Sequence, residues 1–338
     1  MKKSFHKLVL LTLMLTSISV ISQDIHFSHF HASPLHQNPS FAGVMNGKVR
    51  IIANYRNQWQ NITAKYNTFG LSADFKVVSL KNRDFFAIGV AGYMDKAGDL
   101  NFTNYTANLS LAYTKSLSSH KNHAISFGIY GGILQYGFDI TKANGFDSEP
   151  IGAGIPTNKF NYDIGAGIGG FFQVGQYSSI YGGFAAHHLN RPNMAIFTAQ
   201  DKLPMKFTST LGAIIANRGR HAFMPNAMFV LQGTQQETTT GAFYRFEVNQ
   251  DWRSSNSYFY IGGWARWHVV PKAYSGIDAA IVSARYDVKG FQFTFSYDIN
   301  VSKLAVASKG NGGPEVSIAY IYNKDGGRGS RVLFCPKF

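Results

Sequence analysis

Histidines near the amino terminus are the first residues of the chain that could do chemistry. Four of them fall within residues 23–47, a run that also contains two prolines: His26, His29, His31 and His36. Imidazole nitrogens are common metal ligands. However, these spacings do not place the histidines on one helical face, and Asp24 is the only carboxylate in the run. We therefore assign no metal site and predict a structural segment here.

The pair His187 and His188, close to Asn190, is a second candidate. A membrane-embedded hydrolase would need a histidine beside a serine or an aspartate at the rim of its fold. The chain has no GxSxG, HExxH, CxxC or phosphate-loop motif, and Cys335 is its single cysteine. The GIGG run at Gly167–Gly170 lies in a strand pattern, where a dinucleotide loop is not expected. We predict no enzyme activity and no cofactor.

Charged residues also recur at alternate positions within predicted strands. Alternate residues of a strand share one face, so these charges are predicted to point into the fold, where opposite signs can pair. The set comprises Arg50, Arg56, Asp74, Lys76, Arg245, Glu247, Arg266, Arg285, Asp287 and Asp298. Two interpretations stay open at this stage. The interior is either filled by its own side chains or forms a polar conduit.

The overall charge says less about partners. Lysine and arginine number 32 against 18 acidic residues, for a net charge of +14. No block of five or six basic residues occurs, so a nucleic-acid partner is not predicted.

The amino terminus resembles an export signal. Lys2, Lys3 and Lys7 precede the apolar run Leu8–Ile21, and small residues follow. This order is typical of a secretory signal peptide, and the run is too short to span a bilayer. We predict a signal peptide over residues 1–22 and a mature chain that begins near Gln23.

The elements that position these residues are strands. The clearest is FQFTFSYDINV at Phe291–Val301, in which every second residue is large and apolar and the others are polar. Similar runs recur along the chain, giving about 14 strands, each near the 9–11 residues that cross a bilayer when tilted. We predict an all-β fold: an antiparallel transmembrane β-barrel of the outer-membrane type over residues 48–323. Residues 23–47 would form a periplasmic or plug segment, and residues 324–338 a periplasmic tail.

The predicted connections sort into two kinds. Long ones alternate with short ones along the chain, and the long ones include Asp139–Asn161, Asn190–Met205 and Ser302–Pro314. Short periplasmic turns and long outer loops are typical of outer-membrane barrels. A soluble β-sandwich also alternates, but its outer face would carry more charge than this polar face, which is rich in Asn, Ser, Thr, Gly and Gln.

Several motifs, taken in order, resemble the PorP/SprF family of type IX secretion proteins. They include QDIHFSHFHASPLHQNPSFAG at the start, and then YRNQW at Tyr55–Trp59, GGFAAHHLNRP at Gly182–Pro192, SYDINVSKLAVAS at Ser296–Ser308 and CPKF at the end. Ile25 stands where the family usually has proline. The matching positions that we consider candidate partner contacts are Gln23, Asp24, Phe27, Asn38, Pro39, Tyr55, Arg56 and Trp59.

The resemblance implies a multi-pass barrel in the outer membrane of a Bacteroidetes-type bacterium, surrounded by the lipid bilayer. It further implies association with the type IX secretion machinery and with a secreted surface protein, through that protein's C-terminal domain. The expected role is help in secretion or surface attachment of a cargo such as a gliding-motility adhesin. A channel for small solutes remains the alternative.

Overall fold

A computed structural model describes residues 24–58, 66–80, 83–98, 102–118, 123–137, 158–194, 201–217, 220–249, 257–271, 274–302 and 311–323. Fourteen strands account for most of them: β1 Val49–Gln58, β2 Tyr66–Ser79, β3 Phe85–Ala97, β4 Phe102–Ser116, β5 His123–Gly137, β6 Asn158–Gln173, β7 Ser179–His187, β8 Lys206–Asn217, β9 His221–Gln232, β10 Gln235–Asn249, β11 Ser257–Val270, β12 Tyr274–Val288, β13 Phe291–Asn300 and β14 Asn311–Tyr322. The predicted signal peptide 1–22, Gln23, Trp59, the tail 324–338 and Cys335 lie outside the described residues.

The strands close into one antiparallel barrel. Each strand pairs with its neighbours in sequence, and β1 pairs with β14 in a register that sets Val49 opposite Tyr322. A closed barrel leaves no sheet edge, which is the condition for a β structure to span a bilayer. The all-β outer-membrane barrel predicted from the sequence is confirmed.

The two faces of the wall follow the residue alternation. On β13, Phe291, Phe293 and Phe295 are 42–53% exposed, whereas Ser296 and Asp298 are almost fully buried. An apolar outer face suits lipid, and a polar inner face suits a lumen. Among the described residues, no helix is long and apolar enough to cross a membrane.

The connections define two rims. Residues 138–157, 188–205 and 301–310 connect strands at one end, which we call the long-connection rim. Residues 80–84, 174–178 and 289–290 connect strands at the other end, the short-connection rim, where residue 48 enters β1 and β14 ends.

One strand begins earlier than its sequence pattern suggests. The sequence pattern predicts this strand from about Gly241, but β10 begins at Gln235, after a tight turn in which Gly233 has a φ of 59°. Its first outward residues include Gln236 and Thr240, which are exposed and polar. Because an apolar outer face is needed only where the wall meets lipid, the apolar alternation is missing near this rim.

Candidate functional site: the filled lumen

Residues 24–47, which we call the lumen segment, run through the barrel from rim to rim. The segment contains 3₁₀ turns at Phe30–Ala32 and Pro39–Phe41 and the short helix α1 at Pro34–Gln37. Almost every residue from Ile25 to Met45 is buried. At the short-connection rim, Lys48 donates its backbone N–H to the Tyr322 carbonyl, 2.8 Å away. The sequence left open a periplasmic or a plug position for residues 23–47, and residues 24–47 lie within the lumen.

A charged anchor holds the start of the lumen segment at the long-connection rim. One carboxylate oxygen of Asp24 lies 2.7 Å from His188 Nε2 and 2.8 Å from Lys206 Nζ. His188 Nδ1 lies 2.9 Å from Asp163 on β6. The Asp24 backbone N–H also donates to the Gln232 side chain. The anchor therefore ties the segment to the rim ends of β7, β8 and β9.

The charges of this anchor reinforce one another. Burial alone would lower the pKa of His188, but the Asp24 charge and the hydrogen bonds to Asp163 and Asp24 raise it to about 9. Burial alone would raise the pKa of Asp24, but the charges of His188 and Lys206 hold it well below its usual range. His188 is therefore a cation between two carboxylates at neutral pH.

A second anchor lies deeper in the lumen, around Asp298. Its Oδ2 atom accepts hydrogen bonds from Arg56 at 2.9 Å, Arg266 at 3.1 Å and the Ser28 hydroxyl at 2.5 Å. Glu315 accepts the backbone N–H groups of Ser28 and His29 at 2.9 and 3.2 Å. The wall therefore supplies charge-assisted partners to the backbone of the segment.

A third anchor fixes the end of the segment near the short-connection rim. Arg50 pairs with Asp74 through two contacts of 2.9 Å. The same guanidinium donates to the carbonyls of Phe41 and Val44, and Asp74 accepts the backbone N–H of Gly43 at 2.7 Å. One buried ion pair thus forms hydrogen bonds with three backbone groups of the segment. In a mobile segment, water would have to satisfy these groups.

Asn38 and Pro39 of the predicted partner-contact set face the barrel wall. The Asn38 Oδ1 atom caps the 3₁₀ turn by accepting the Ser40 N–H at 2.9 Å, and its Nδ2 atom donates to the Ile168 carbonyl at 3.0 Å. A Cβ at Gly128 would lie 2.3 Å from the Ser40 nitrogen, and one at Gly167 would lie 2.1 Å from Asn38 Oδ1. The wall is therefore glycine at these positions because the segment approaches its backbone.

The other predicted partner-contact residues lie apart. Phe27 is buried against Tyr93, with ring centroids 6.2 Å apart. Arg56 belongs to the Asp298 anchor and donates to the His26 carbonyl. Tyr55 lies on the outward face and is 46% exposed. Tyr55 therefore lies on the outer wall, whereas Phe27 and Arg56 are buried in the lumen.

The remaining predicted lumen charges line the wall near the short-connection rim. Arg285 pairs with Asp287 at 2.7 Å, and the Asp287 carboxylate also accepts the Tyr260 hydroxyl at 2.8 Å. The Arg245 guanidinium lies 4.8 Å from the centre of the Tyr258 ring. Lys76 and Glu247 are half-buried, and the Lys76 ammonium donates to the Met45 carbonyl at 3.0 Å.

Sequence reasoning missed several residues of the anchors. Ser28, Asp163, Lys206 and Glu315 were not among the predicted site residues, and His188 was considered only as part of the His187–His188 pair. Histidines of the lumen segment pack against aromatic side chains. The His31 ring, for example, stacks on Phe30 with ring centroids 4.0 Å apart. In the part of the chain that the structure describes, no group of three potential ligands could hold a metal ion.

His188 contacts an aspartate, as the histidine of a hydrolase would, but neither of its ring nitrogens is free for a nucleophile. Both ring nitrogens of His188 lie within 2.9 Å of a carboxylate oxygen, from Asp24 and Asp163. A general base must have a nitrogen free to accept a proton from a nucleophile. In this arrangement His188 links the lumen segment to the wall and has no such nitrogen.

A cleft of about 640 Å³, including the solvent at its mouth, opens at the long-connection rim. It lies between the lumen segment and the rim ends of β8 to β11. Its apolar lining is Ile25, Phe27, Phe30, Met228 and Val230, and its polar lining includes Gln232 and Glu237. We call this space the rim cleft. It exists because α1 and the second 3₁₀ turn pack against β3 to β6, on the opposite side of the lumen.

The sequence of the whole fold, lumen segment included, matches one family. Residues 19–320 match the model of the type IX secretion system membrane protein PorP/SprF. The chain belongs to the PorP/SprF family. Membership implies association with the type IX secretion machinery, and the barrel fold places this PorP/SprF protein in the outer membrane. None of the curated proteins matches the chain.

Solved outer-membrane barrels resemble this PorP/SprF protein in fold. The toluene transporter TbuX of Ralstonia pickettii has a TM-score of 0.51 and 11% identity, covering 85% of this chain and 92% of TbuX. The monoaromatic hydrocarbon channel CymD has a TM-score of 0.49 and 9% identity, covering 86% and 93%. At such low identity the likeness to TbuX shows the barrel architecture alone.

Proposed function

We propose that this PorP/SprF protein assists the secretion or surface attachment of a particular cargo protein, such as a large adhesin of the gliding-motility type. It would act as a non-enzymatic partner of the cargo's C-terminal domain and of the type IX machinery. The observation that carries the proposal is the family match, which extends across both the lumen segment and the barrel. The three anchors support it, because they hold a filled lumen that suits a docking platform better than an open pore.

The proposed orientation follows from the connections. Longer loops are typical of the outer side of such barrels. We infer that the long-connection rim faces the cell surface and that the tail 324–338 lies in the periplasm. The predicted signal peptide and a Bacteroidetes-type source belong to the same proposal.

Deletion of the gene, followed by comparison of the surface and secreted proteomes, tests the role. We expect growth to be unchanged and one particular surface protein to be lost from the cell. Complementation with the intact gene should restore that protein. Unchanged surface and secreted proteomes would contradict the proposal.

A channel for small solutes is the second candidate, and the rim cleft is the observation that favours it. TbuX and CymD are described as a toluene transporter and a hydrocarbon channel. A path would have to pass the lumen segment, however, and the Asp298 and Arg50 anchors hold that segment in place. Purified protein in planar bilayers distinguishes the two roles, because a channel should give steady conductance and a docking platform should be silent.

A further inference from the structure

The rim cleft contains polar groups that the protein itself does not satisfy. Gln232 is 6% exposed, and its Nε2 atom is buried without a hydrogen-bond partner. The orientation of its amide is set because Oε1 accepts the Asp24 backbone N–H. A buried donor without an acceptor is costly, so such a donor beside an open cleft favours a ligand with a carbonyl oxygen.

The charge of the cleft is also incompletely balanced. Of the two acids that line it, Asp24 is paired with His188 and Lys206. The other, Glu237, has no ion pair or hydrogen bond through its carboxylate with any residue that the structure describes. Arg266, whose charge acts on Glu237, is already paired with Asp278 and Asp298. A cationic group in the cleft would complement Glu237.

Part of the cleft lining is apolar, and we call this part the floor. Phe27, Phe30, Met228 and Val230 present aromatic, thioether and aliphatic surface there, beside polar residues of the same cleft. Burial of an apolar side chain on this surface would supply the hydrophobic part of the binding energy. A hydrocarbon could use the floor, but it would leave Gln232 and Glu237 unsatisfied. An extended peptide offers a carbonyl, an apolar side chain and a basic side chain at successive positions.

We propose that the rim cleft binds an extended peptide segment of the secreted partner, with an apolar side chain on the floor and a lysine or arginine beside Glu237. The proposal rests on the proposed function, because that function supplies a protein partner at this rim. The cleft then determines which part of the partner is recognised.

Binding of defined peptides to the full-length protein in detergent tests this proposal. The probe is a fluorescein-labelled hexapeptide of alternating valine and lysine, followed by fluorescence anisotropy. Matched peptides replace either valine with serine or lysine with glutamate. We expect saturable binding of the first peptide. The glutamate peptide should lose at least about fivefold in affinity, the size of one partly buried ion pair, and the serine peptide at least about fivefold through the apolar burial that it lacks. Equal affinity for all three, or no saturable binding, would overturn the proposal.

Variants locate the binding to the cleft. Glu237→Gln should weaken the valine–lysine peptide about fivefold and remove the preference over the valine–glutamate peptide. Glu247→Gln is the matched control, because Glu247 lies on the same strand near the opposite rim and is similarly half-buried. Val230→Thr, which keeps the side-chain shape, should also weaken binding. Heat-modifiable migration on gels verifies that each barrel is folded. An equal effect of Glu237→Gln and Glu247→Gln would overturn the assignment.

The outcomes separate this proposal from the proposed function. If gene deletion removes a surface protein but the three peptides bind with equal affinity, the peptide-binding proposal is overturned and the proposed function stands. If the peptides bind with different affinities but the surface and secreted proteomes are unchanged, the peptide-binding proposal is supported and the proposed function is overturned.

Discussion

Asp298 joins the lumen segment to two buried arginines of the barrel wall. Its carboxylate pairs with two buried guanidiniums, those of Arg56 and Arg266, and accepts the Ser28 hydroxyl of the lumen segment. Its removal would leave two buried cations short of a partner. The same residue therefore stabilises the wall and holds the segment, so its substitution should affect both.

Asp298→Asn should lower stability by about 3–5 kcal/mol, the usual cost of breaking a buried ion pair by removing one partner. The measurement is the temperature at which the folded band converts to the unfolded band on gels. Asp278→Asn is the control, because Asp278 also pairs with Arg266 but has a side chain that is 29% exposed. A similar shift for both variants would contradict the central role of Asp298.

Because His188 holds the lumen segment as a cation, we predict that this contact weakens at alkaline pH. Its pKa is raised to about 9, from 6.5 when released, so its contribution is complete below pH 6.5 and is lost as pH rises through 9. The pKa of Asp24 is lowered, so its own contribution is lost only under acid conditions. The shift of His188 corresponds to up to about 3 kcal/mol. Raising the pH from 7 to 10 should therefore loosen the start of the lumen segment.

Spin-label mobility at residue 26 measures this loosening. The label goes on a His26→Cys variant in a Cys335→Ser background, because His26 lines the rim cleft. Mobility should rise between pH 7 and pH 10, and a His188→Gln variant should show the high mobility at both values. If the label is equally mobile at pH 7 and pH 10 in the variant that retains His188, then His188 does not hold the segment.

At the scale of elements, inward-facing glycines of β5 and β6 lie where the lumen segment approaches the barrel wall. Gly128→Val would place side-chain carbons where the backbone of Pro39 and Ser40 now lies, at 2.3–2.6 Å from Cβ. We expect the 3₁₀ turn at Pro39–Phe41 to be displaced and the barrel to stay closed. Amide hydrogen exchange over residues 38–44 should then increase by at least about tenfold.

Gly131→Val on the same strand is the matched control. A Cβ at Gly131 meets nothing within 4 Å, because this residue lies on the exposed outer face. Exchange over residues 38–44 should be unchanged in this variant. Faster exchange in both variants, or in neither, would show that the segment is not held against β5 at this position.

The same elements show how far the sequence could be read. Alternation predicted the strands well where one face meets lipid, as in β13, because lipid demands apolar residues at every second position. It missed the start of β10, whose outward residues there are polar. The lumen segment has no period at all, since its side chains meet a curved wall on several sides. The inward glycines at 128 and 167 were the available signal, but a glycine in a strand pattern does not by itself show what approaches its backbone.

For the whole molecule, the rim-to-rim course of the lumen segment places the two ends of the described chain at opposite rims. Asp24 lies at the long-connection rim, whereas β14 ends at Tyr322 on the short-connection rim. The chain before Asp24 should then emerge on the cell surface.

Epitope tags on intact cells test this course and the orientation together. A tag placed directly before Asp24, after the predicted signal peptide, should bind antibody on intact cells, because a rim-to-rim segment leaves its first residue outside. A tag after Phe338 should bind only once the outer membrane is permeabilised, since it follows a strand that ends at the opposite rim. Two tags accessible on the same side would contradict the course of the lumen segment through the barrel. An accessible carboxyl-terminal tag with a hidden amino-terminal tag would instead reverse the orientation, and it would move the rim cleft to the periplasmic side, where a partner would meet it before export.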